Sequence, residues 1–419
     1  MNQKLSLIFW ILTVLFLAAL VSRNGAFILL ALPFLAFLWA ALLEAPGEIH
    51  LDAAREVGVR RSFEGQPVQV RLRLTNSGSP IARLQVREAL HPKARLVGGT
   101  LEGRFALTDR EGIELEYTFQ ASRGCYNWET ASLTASDPFG LFEIPLELRA
   151  EAQVLVLPKP LRLRRWGHRP RPTVQSSGPY LSRAPGTGID FWGLREYRPG
   201  DPLRSINWRT TARRPGAFFS KVYEREEMAD IGLLLDARAA AYPETEAADL
   251  YEYAVQAAAA LAGHYLAAGN RVSMLVLSDR LVHVFPGYGK RQLARILDVL
   301  AGSAPGEIVT LETLGHFPAR LFPPHSVIVL VSPLLQDDLR LLERLRAEGY
   351  QLLLVSPSAA QPVVLARSEN AYGSLAGRAA ALERAVLLRR MRRKGVQVVD
   401  WEVRQPLVKT LQSVRFLRR

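Results

Sequence analysis

Cysteine is almost absent from this 419-residue chain: Cys125 stands alone, so no disulfide can close within the chain and no thiolate zinc cluster can be assembled from it. The seven histidines, His50, His91, His168, His264, His283, His316 and His325, offer no pair at metal-ligand spacing and no H-E-x-x-H pattern. A phosphate-binding loop is missing too. Gly287-Tyr288-Gly289-Lys290 has the wrong glycine spacing, with Arg291 where a Ser or Thr should meet magnesium, and reads as the turn before a helix. Gly186, Gly188 and Gly193 do not fit the dinucleotide fingerprint, and Gly373-Ser374-Leu375-Ala376-Gly377 misses the nucleophile-elbow spacing by one place. Acidic charge is short as well: 40 Asp and Glu face 53 Lys and Arg, a formal net charge of +13. That excess favours an anionic partner, whether nucleic acid, lipid headgroups or an acidic protein face, without choosing among them.

What is present begins with two long apolar runs. Leu5 to Ser22 carries no charge and is about 18 residues long, near the lower limit for a helix crossing a hydrocarbon core roughly 30 Å thick. A second run, Ala26 to Leu43, follows after only Arg23-Asn24-Gly25. A signal peptide would end in a small-residue cleavage site rather than lead at once into another span, so residues 1–47 are expected to form a two-helix transmembrane hairpin, kinked at Pro33. Membrane lipids are thus expected partners of Leu5 to Leu43. Lys4 flanks one end and Arg55, Arg60 and Arg61 follow the other, whereas only Arg23 lies in the turn, which places the large domains on the cytoplasmic side of the inner membrane.

From residue 48 to 158 the pattern changes to short alternating runs: Val57 to Val59, Val68 to Leu74, Glu114 to Phe119 and Val154 to Leu157, with turn clusters such as Asn76 to Pro80. Period-two alternation predicts an antiparallel β-sandwich of immunoglobulin-like type with one face of each strand buried. Asp137-Pro138-Phe139-Gly140-Leu141-Phe142 reads as a turn whose two aromatics plug a sandwich end.

Residues 159–228 are rich in arginine, proline and glycine, with Arg162, Arg164, Arg165, Arg169 and Arg171 close together, and read as a linker. Within it, Gly188-Ile189-Asp190-Phe191-Trp192-Gly193 is followed by Leu194-Arg195-Glu196-Tyr197-Arg198-Pro199-Gly200-Asp201-Pro202-Leu203-Arg204-Ser205-Ile206-Asn207-Trp208 and then Ala212-Arg213. Here the chain resembles the domain-of-unknown-function 58 family, whose signature runs L-R-x-Y-x-x-G-D-x-x-R-x-I-x-W after an acidic residue and an aromatic, and closes on A-R. Forked guanidinium groups pair bidentately with carboxylates and stack on rings. The motif residues Asp190, Phe191, Arg195, Tyr197, Gly200, Asp201, Arg204, Trp208 and Arg213 therefore support either a self-satisfied polar clasp or a docking surface with its arginines unpaired.

From residue 229 to 419, apolar runs alternate with helical patterns: Ile231 to Leu235, Ala247 to Ala268, Val272 to Leu277 with Leu281 to Phe285, Lys290 to Ala301, Val327 to Val331, Leu335 to Glu348, Leu352 to Val355, Gly377 to Arg393 and Val396 to Trp401. Such alternation predicts a mainly parallel sheet covered on both faces, with one hairpin at an edge. The order resembles the von Willebrand A fold, as the family resemblance implies. That fold carries a D-x-S-x-S metal site at the end of its first strand. Here the positions read Asp236-Ala237-Arg238-Ala239-Ala240, so Arg238 and Ala240 replace both hydroxyls. Magnesium would lose two ligands and meet a fixed positive charge, so no metal is expected and Arg238 is expected to bridge to Asp236 instead. The basic run Arg389-Arg390-Met391-Arg392-Arg393-Lys394 suits either anionic lipid headgroups or a solvated helix end.

No catalytic residue and no cofactor is expected. The leading expectation is a non-enzymatic membrane adaptor or scaffold, and the family resemblance implies a MoxR-type AAA+ ATPase chaperone as its partner in protein assembly or remodelling. Two alternatives are a membrane-associated metal-dependent hydrolase, opposed by the degenerate motif, and a nucleic-acid-binding membrane protein, opposed by the lack of a nucleic-acid fold. The sequence names no small-molecule substrate.

Overall fold

The computed structural model describes residues 3–413 except 160, 162, 164, 165, 167, 169, 171, 172, 174–179, 215, 243–246, 308–319 and 359–370. The arginine cluster Arg162, Arg164, Arg165, Arg169 and Arg171 lies outside the described residues, as does His316. The chain divides into two compact units, Met1–Leu157 and Pro158–Arg419.

In the first unit, α1 (Gln3–Ser22) and α2 (Ala26–Leu43) form the expected apolar pair, each long and apolar enough to cross a membrane by length and composition. Helix α2 runs on through Pro33 rather than breaking there. The tight reversal between the helices places Arg23 at φ 48°, and the Asn24 side chain accepts a hydrogen bond from the Ala26 amide at 2.9 Å.

Nine strands follow: β1 (Leu51–Val57), β2 (Arg61–Phe63), β3 (Val68–Asn76), β4 (Ile81–Arg87), β5 (Ala94–Gly99), β6 (Glu102–Leu107), β7 (Gly112–Ala121), β8 (Gly124–Ser136) and β9 (Glu143–Leu157). They form a four-stranded sheet, β1-β3-β7-β5, and a five-stranded sheet, β2-β9-β8-β4-β6. All pairings are antiparallel except β2 with β9. Alternation is the cause: in β3, Val68, Val70, Leu72 and Leu74 are buried while Gln69 and Arg73 face water. Leu72, Leu74 and Leu115 of one sheet pack against Leu84, Val86 and Leu133 of the other. Val57–Val59 is only the tail of a strand centred earlier.

One buried polar cluster crosses the sandwich. Arg55 donates to Glu88 at 2.7 Å, to the Thr130 carbonyl at 3.1 Å and to the Ala150 carbonyl, while the Tyr117 hydroxyl donates to Glu88 at 3.1 Å. Burial and the Glu88 charge push the Tyr117 phenol well above its ordinary range, so the hydroxyl stays a donor.

The second unit starts inside the stretch expected to be a linker. Leu163 and Trp166 are buried, Trp166 stacks on His168 and meets Tyr265 edge-on, and Thr173 accepts from the Asp230 amide at 2.7 Å. Residues 180–227 then form an antiparallel pair, β10 (Tyr180–Glu196) and β11 (Phe219–Glu227), joined through a single helical turn and the short α3 (Trp208–Arg213). The stretch read as a linker falls within the second compact unit. Trp166 against Tyr265 and Thr173 on Asp230 tie the start of the segment to the α/β domain after it, and its second half forms a sheet of its own.

Six strands make the main sheet, in the order β14-β13-β12-β15-β16-β17: β12 (Asp230–Asp236), β13 (Arg271–Leu277), β14 (Leu281–Gly287), β15 (Val327–Val331), β16 (Gln351–Ser358) and β17 (Gln397–Glu402). All are parallel except the edge hairpin β13–β14. Helices α4 (Ala247–Ala267), α5 (Gly289–Gly302), α6 (Asp338–Ala347), α7 (Ala371–Arg393) and α8 (Leu407–Ser413) connect or follow them. Every residue of β12 and β15 is buried, as a sheet covered on both faces requires. Gly232 is needed in β12 because a Cβ there would collide with the Phe322 ring.

Candidate functional site

The strand order reverses between β12 and β15, the position where open α/β sheets leave a crevice beyond the carboxyl ends of their strands. Asp236 ends β12 there, fully buried, and Arg238 follows two residues later. The Arg238 guanidinium donates to Asp236 through Nε (2.9 Å) and Nη2 (2.8 Å), and to Asp338 through Nη1 (2.9 Å) and Nη2 (2.8 Å). Two buried carboxylates and one buried cation thus form a flat bidentate bridge on each side. The bridge to Asp236 matches the sequence expectation. Asp338, at the start of α6 and 100 positions away in sequence, was not foreseen.

Further bonds hold the carboxylates in place. Asp236 also accepts from the Ser332 hydroxyl (2.6 Å) and from the Arg238 amide (3.0 Å), and Asp338 accepts from the Leu335 amide (2.8 Å). Tyr242 donates its hydroxyl to the Asp236 carbonyl at 2.7 Å. The loop after β15 is gripped a second time by Arg384 of α7, which donates to the Pro333 carbonyl (3.1 Å), the Ser356 side chain (2.8 Å) and Asp400 (2.7 Å). Between the two arginines Leu334 takes a left-handed φ of 70°, a conformation that costs a non-glycine residue roughly 1–3 kcal/mol. Ala240, the second substituted hydroxyl position, sits exposed on the turn Ala239–Ala241.

Burial works against the charge on Arg238, yet its bonds to Asp236 and Asp338 outweigh it, and the guanidinium stays charged. Burial also raises the Asp338 carboxyl above its ordinary range, and the Arg238 bonds only partly reverse that. Chemically the bridge is closed, because the guanidinium stands between the carboxylates that a cation would otherwise join. Among the described residues, no group of three or more His, Cys, Asp or Glu side chains comes together as a metal site.

The signature motif lies on β10 and the connection to β11, and the structure splits it. Arg195 donates to Asp201 at 2.6 Å, Asp201 accepts the Arg198 amide at 3.0 Å, and the Tyr197 hydroxyl donates to the Asp201 carbonyl at 3.2 Å. The Arg195 bond and then the Arg198 amide hold the Asp201 carboxyl below its usual range. Gly200 turns the chain at φ 105°, a value that suits glycine. This half is a clasp.

The other half faces outward. Trp208 is 62 % exposed, Phe191 58 % and Phe218 55 %, and Phe218 stands edge-on to Tyr197 and Trp208 at 6.4 and 6.5 Å. Arg204 and Arg213 are exposed and bond to no described side chain. Of Asp190 only the backbone, in β10, is described. The connection is fixed in place beneath these groups: Asn207 caps α3 by accepting from the Thr210 amide (3.3 Å), Thr211 accepts from the Phe219 amide (3.1 Å), and the Ser205 and Ser220 hydroxyls share a 2.6 Å bond.

A mixed α/β sheet with an arginine-bridged strand end, preceded by a two-stranded signature hairpin, is the structural class these features define. Residues 193–360 match the family model described as "Protein of unknown function DUF58", which supports the resemblance read from the signature. No curated protein matches the chain. Among solved structures, the chain has a likeness to the CARDB domain of a Pyrococcus furiosus protein at 17 % identity, covering 26 % of this chain and 89 % of that one, with a TM-score of 0.19. A second is the cupredoxin domain of amoB from Nitrosocaldus yellowstonii, at 11 % identity, 30 % and 97 % coverage and a TM-score of 0.20. Likenesses this slight carry no weight for function.

Proposed function

We propose that this chain is a non-enzymatic membrane adaptor: α1 and α2 cross the bilayer, an immunoglobulin-like sandwich stands on them, and a von Willebrand A-like domain docks a protein partner on the cytoplasmic side. The observation that carries the reading is the outward half of the signature hairpin. Exposed Trp and Arg side chains on a rigid support have the composition of protein-interaction hot spots. Three aromatics more than half exposed are costly to leave in water unless something covers them. The partner that the family resemblance implies is a MoxR-type AAA+ ATPase, which would supply the nucleotide hydrolysis for which this sequence has no motif.

The arginine bridge fits that reading. With Arg238 in the place of a cation, the strand end can hold its shape without metal, and partner docking there is independent of divalent ions. The test is crosslinking of the tagged full-length protein in its native membrane, with a Trp208→Ala/Arg204→Ala variant beside it. Capture of an AAA+ ATPase by the wild type and its loss with the folded, membrane-inserted variant is the expected result. Capture of none by either defeats the reading.

The same aromatic and arginine pairing favours one second reading, single-stranded nucleic acid stacked on Phe191 and Trp208. It predicts an oligonucleotide affinity falling steeply between low and physiological salt. A salt-insensitive partner capture excludes it.

A further inference from the structure

The turn Asp137 to Phe142 does not plug the sandwich as its sequence suggests. Asp137 is fully buried and its carboxylate accepts from the amides of Phe139 (3.0 Å), Leu141 (2.7 Å) and Phe142 (2.7 Å), which turns the loop's apolar side chains away from the sandwich core. They meet the N-terminal helices instead. Leu141 packs with Ile8 and Ala41, with Leu5, Leu38 and Phe142 around them. The Phe139 ring lies 4.7 Å from that of Phe37 in α2, and Phe139 is still 41 % exposed.

Depth is what makes this contact informative. At 1.5 Å per residue, α1 with 20 residues and α2 with 18 are about 30 and 27 Å long, barely the roughly 30 Å of a hydrocarbon core. Neither helix has length to spare outside the bilayer. Phe37 precedes the last residue of α2, Leu43, by about 9 Å of helix, and Ile8 lies about 7 Å inside the start of α1. A loop touching both must reach the level of the upper acyl chains. Beside it, Lys4 donates to the Phe139 carbonyl at 3.4 Å. Cationic atoms of Lys4 and Arg83, and the Glu143 carboxylate, surround the place a Gly140 side chain would take. An apolar tip collared by charged side chains, two cations and one carboxylate, fits a headgroup-level anchor.

We infer that the loop Asp137 to Phe142 is a third membrane element, which places Phe139 at the boundary of headgroups and acyl chains of the bilayer and seats the sandwich directly on the lipid. The inference rests on α1 and α2 crossing the membrane, and its test separates the two. In full-length protein carrying Cys125→Ser and reconstituted into lipid nanodiscs, single spin labels are placed at Leu17→Cys in the second half of α1, at Phe139→Cys, and at Glu129→Cys on the sandwich surface. The collision rate of each label with oxygen is compared with that of a water-soluble nickel chelate. Expected are oxygen-dominated collisions at 17 and 139 and nickel-dominated collisions at 129. Oxygen dominance at 17 with nickel dominance at 139 overturns the lipid seat and leaves the spanning hairpin standing. Nickel dominance at 17 removes the spanning reading and the inference with it. As a second measure, Phe139→Asp should shift a label at Ile144→Cys toward nickel without moving a label at Leu17→Cys; an unchanged label at Ile144→Cys also counts against the seat.

Discussion

Arg238 is a side chain whose removal should be felt far more than its size suggests. Asp236 and Asp338 are 0 % and 1 % exposed, so Arg238→Ala leaves two buried carboxylates facing each other and should cost about 3–5 kcal/mol in unfolding of the detergent-solubilised chain. In Arg238→Ser the gap is lined by Asp236, Asp338, Ser332 and the new hydroxyl, an oxygen set suited to a hard cation. Millimolar manganese should therefore raise the melting temperature of that variant and leave the wild type unchanged. A second titratable residue sets a pH dependence. Burial pushes the His168 imidazole from 6.5 down to about 4, opposed by its bond to Gln397 and assisted by His264. The unfolded chain takes up a proton near pH 6.5 that the folded chain refuses until about pH 4, so the stabilisation is complete above 6.5 and is lost as pH falls through that window. The loss should approach about 3 kcal/mol, seen as a lower urea midpoint at pH 4.5 than at 7.5, and His168→Phe should flatten the slope.

Among the elements, β12 depends on its single glycine. Gly232→Ala drives a methyl into the Phe322 ring and should cost about 1–3 kcal/mol in thermal unfolding, with Phe322→Leu restoring part of it. This strand and β15 were legible in the sequence because short charge-free runs rich in Val, Ile and Leu have few other uses, and the edge hairpin because Ser278-Asp279-Arg280 separates two such runs. β10 was not legible: Pro185, Gly186, Gly188 and Gly193 break any alternation, and the observed pairing with β11 is shifted at several points to accommodate them. Asp338 stayed hidden for another reason. An acidic residue in the first turn of a helix looks like an ordinary partner of the helix dipole, and only the fold brings it to Arg238. The run around Met391 shows the same limit: Met391 is buried in the core while Arg389, Arg390, Arg392, Arg393 and Lys394 stay exposed, so one position inside an apparent charge cluster is a packing site.

For the whole molecule, sidedness can be read through the lone Cys125, which is exposed on the sandwich. A membrane-impermeant maleimide should label it in inverted vesicles and not in intact cells; the reverse pattern would place the large domains on the outside. The reversal at Arg23, Asn24 and Gly25 then acquires a consequence of its own. In a hairpin that crosses the bilayer, those three residues are all that emerges on the far face between α1 and α2. For such a hairpin, so small a bend would leave little for a ligand in the far compartment to grasp. A signal from beyond the membrane would then have to arrive sideways, through the thickness of the surrounding lipid or the helix of a neighbour.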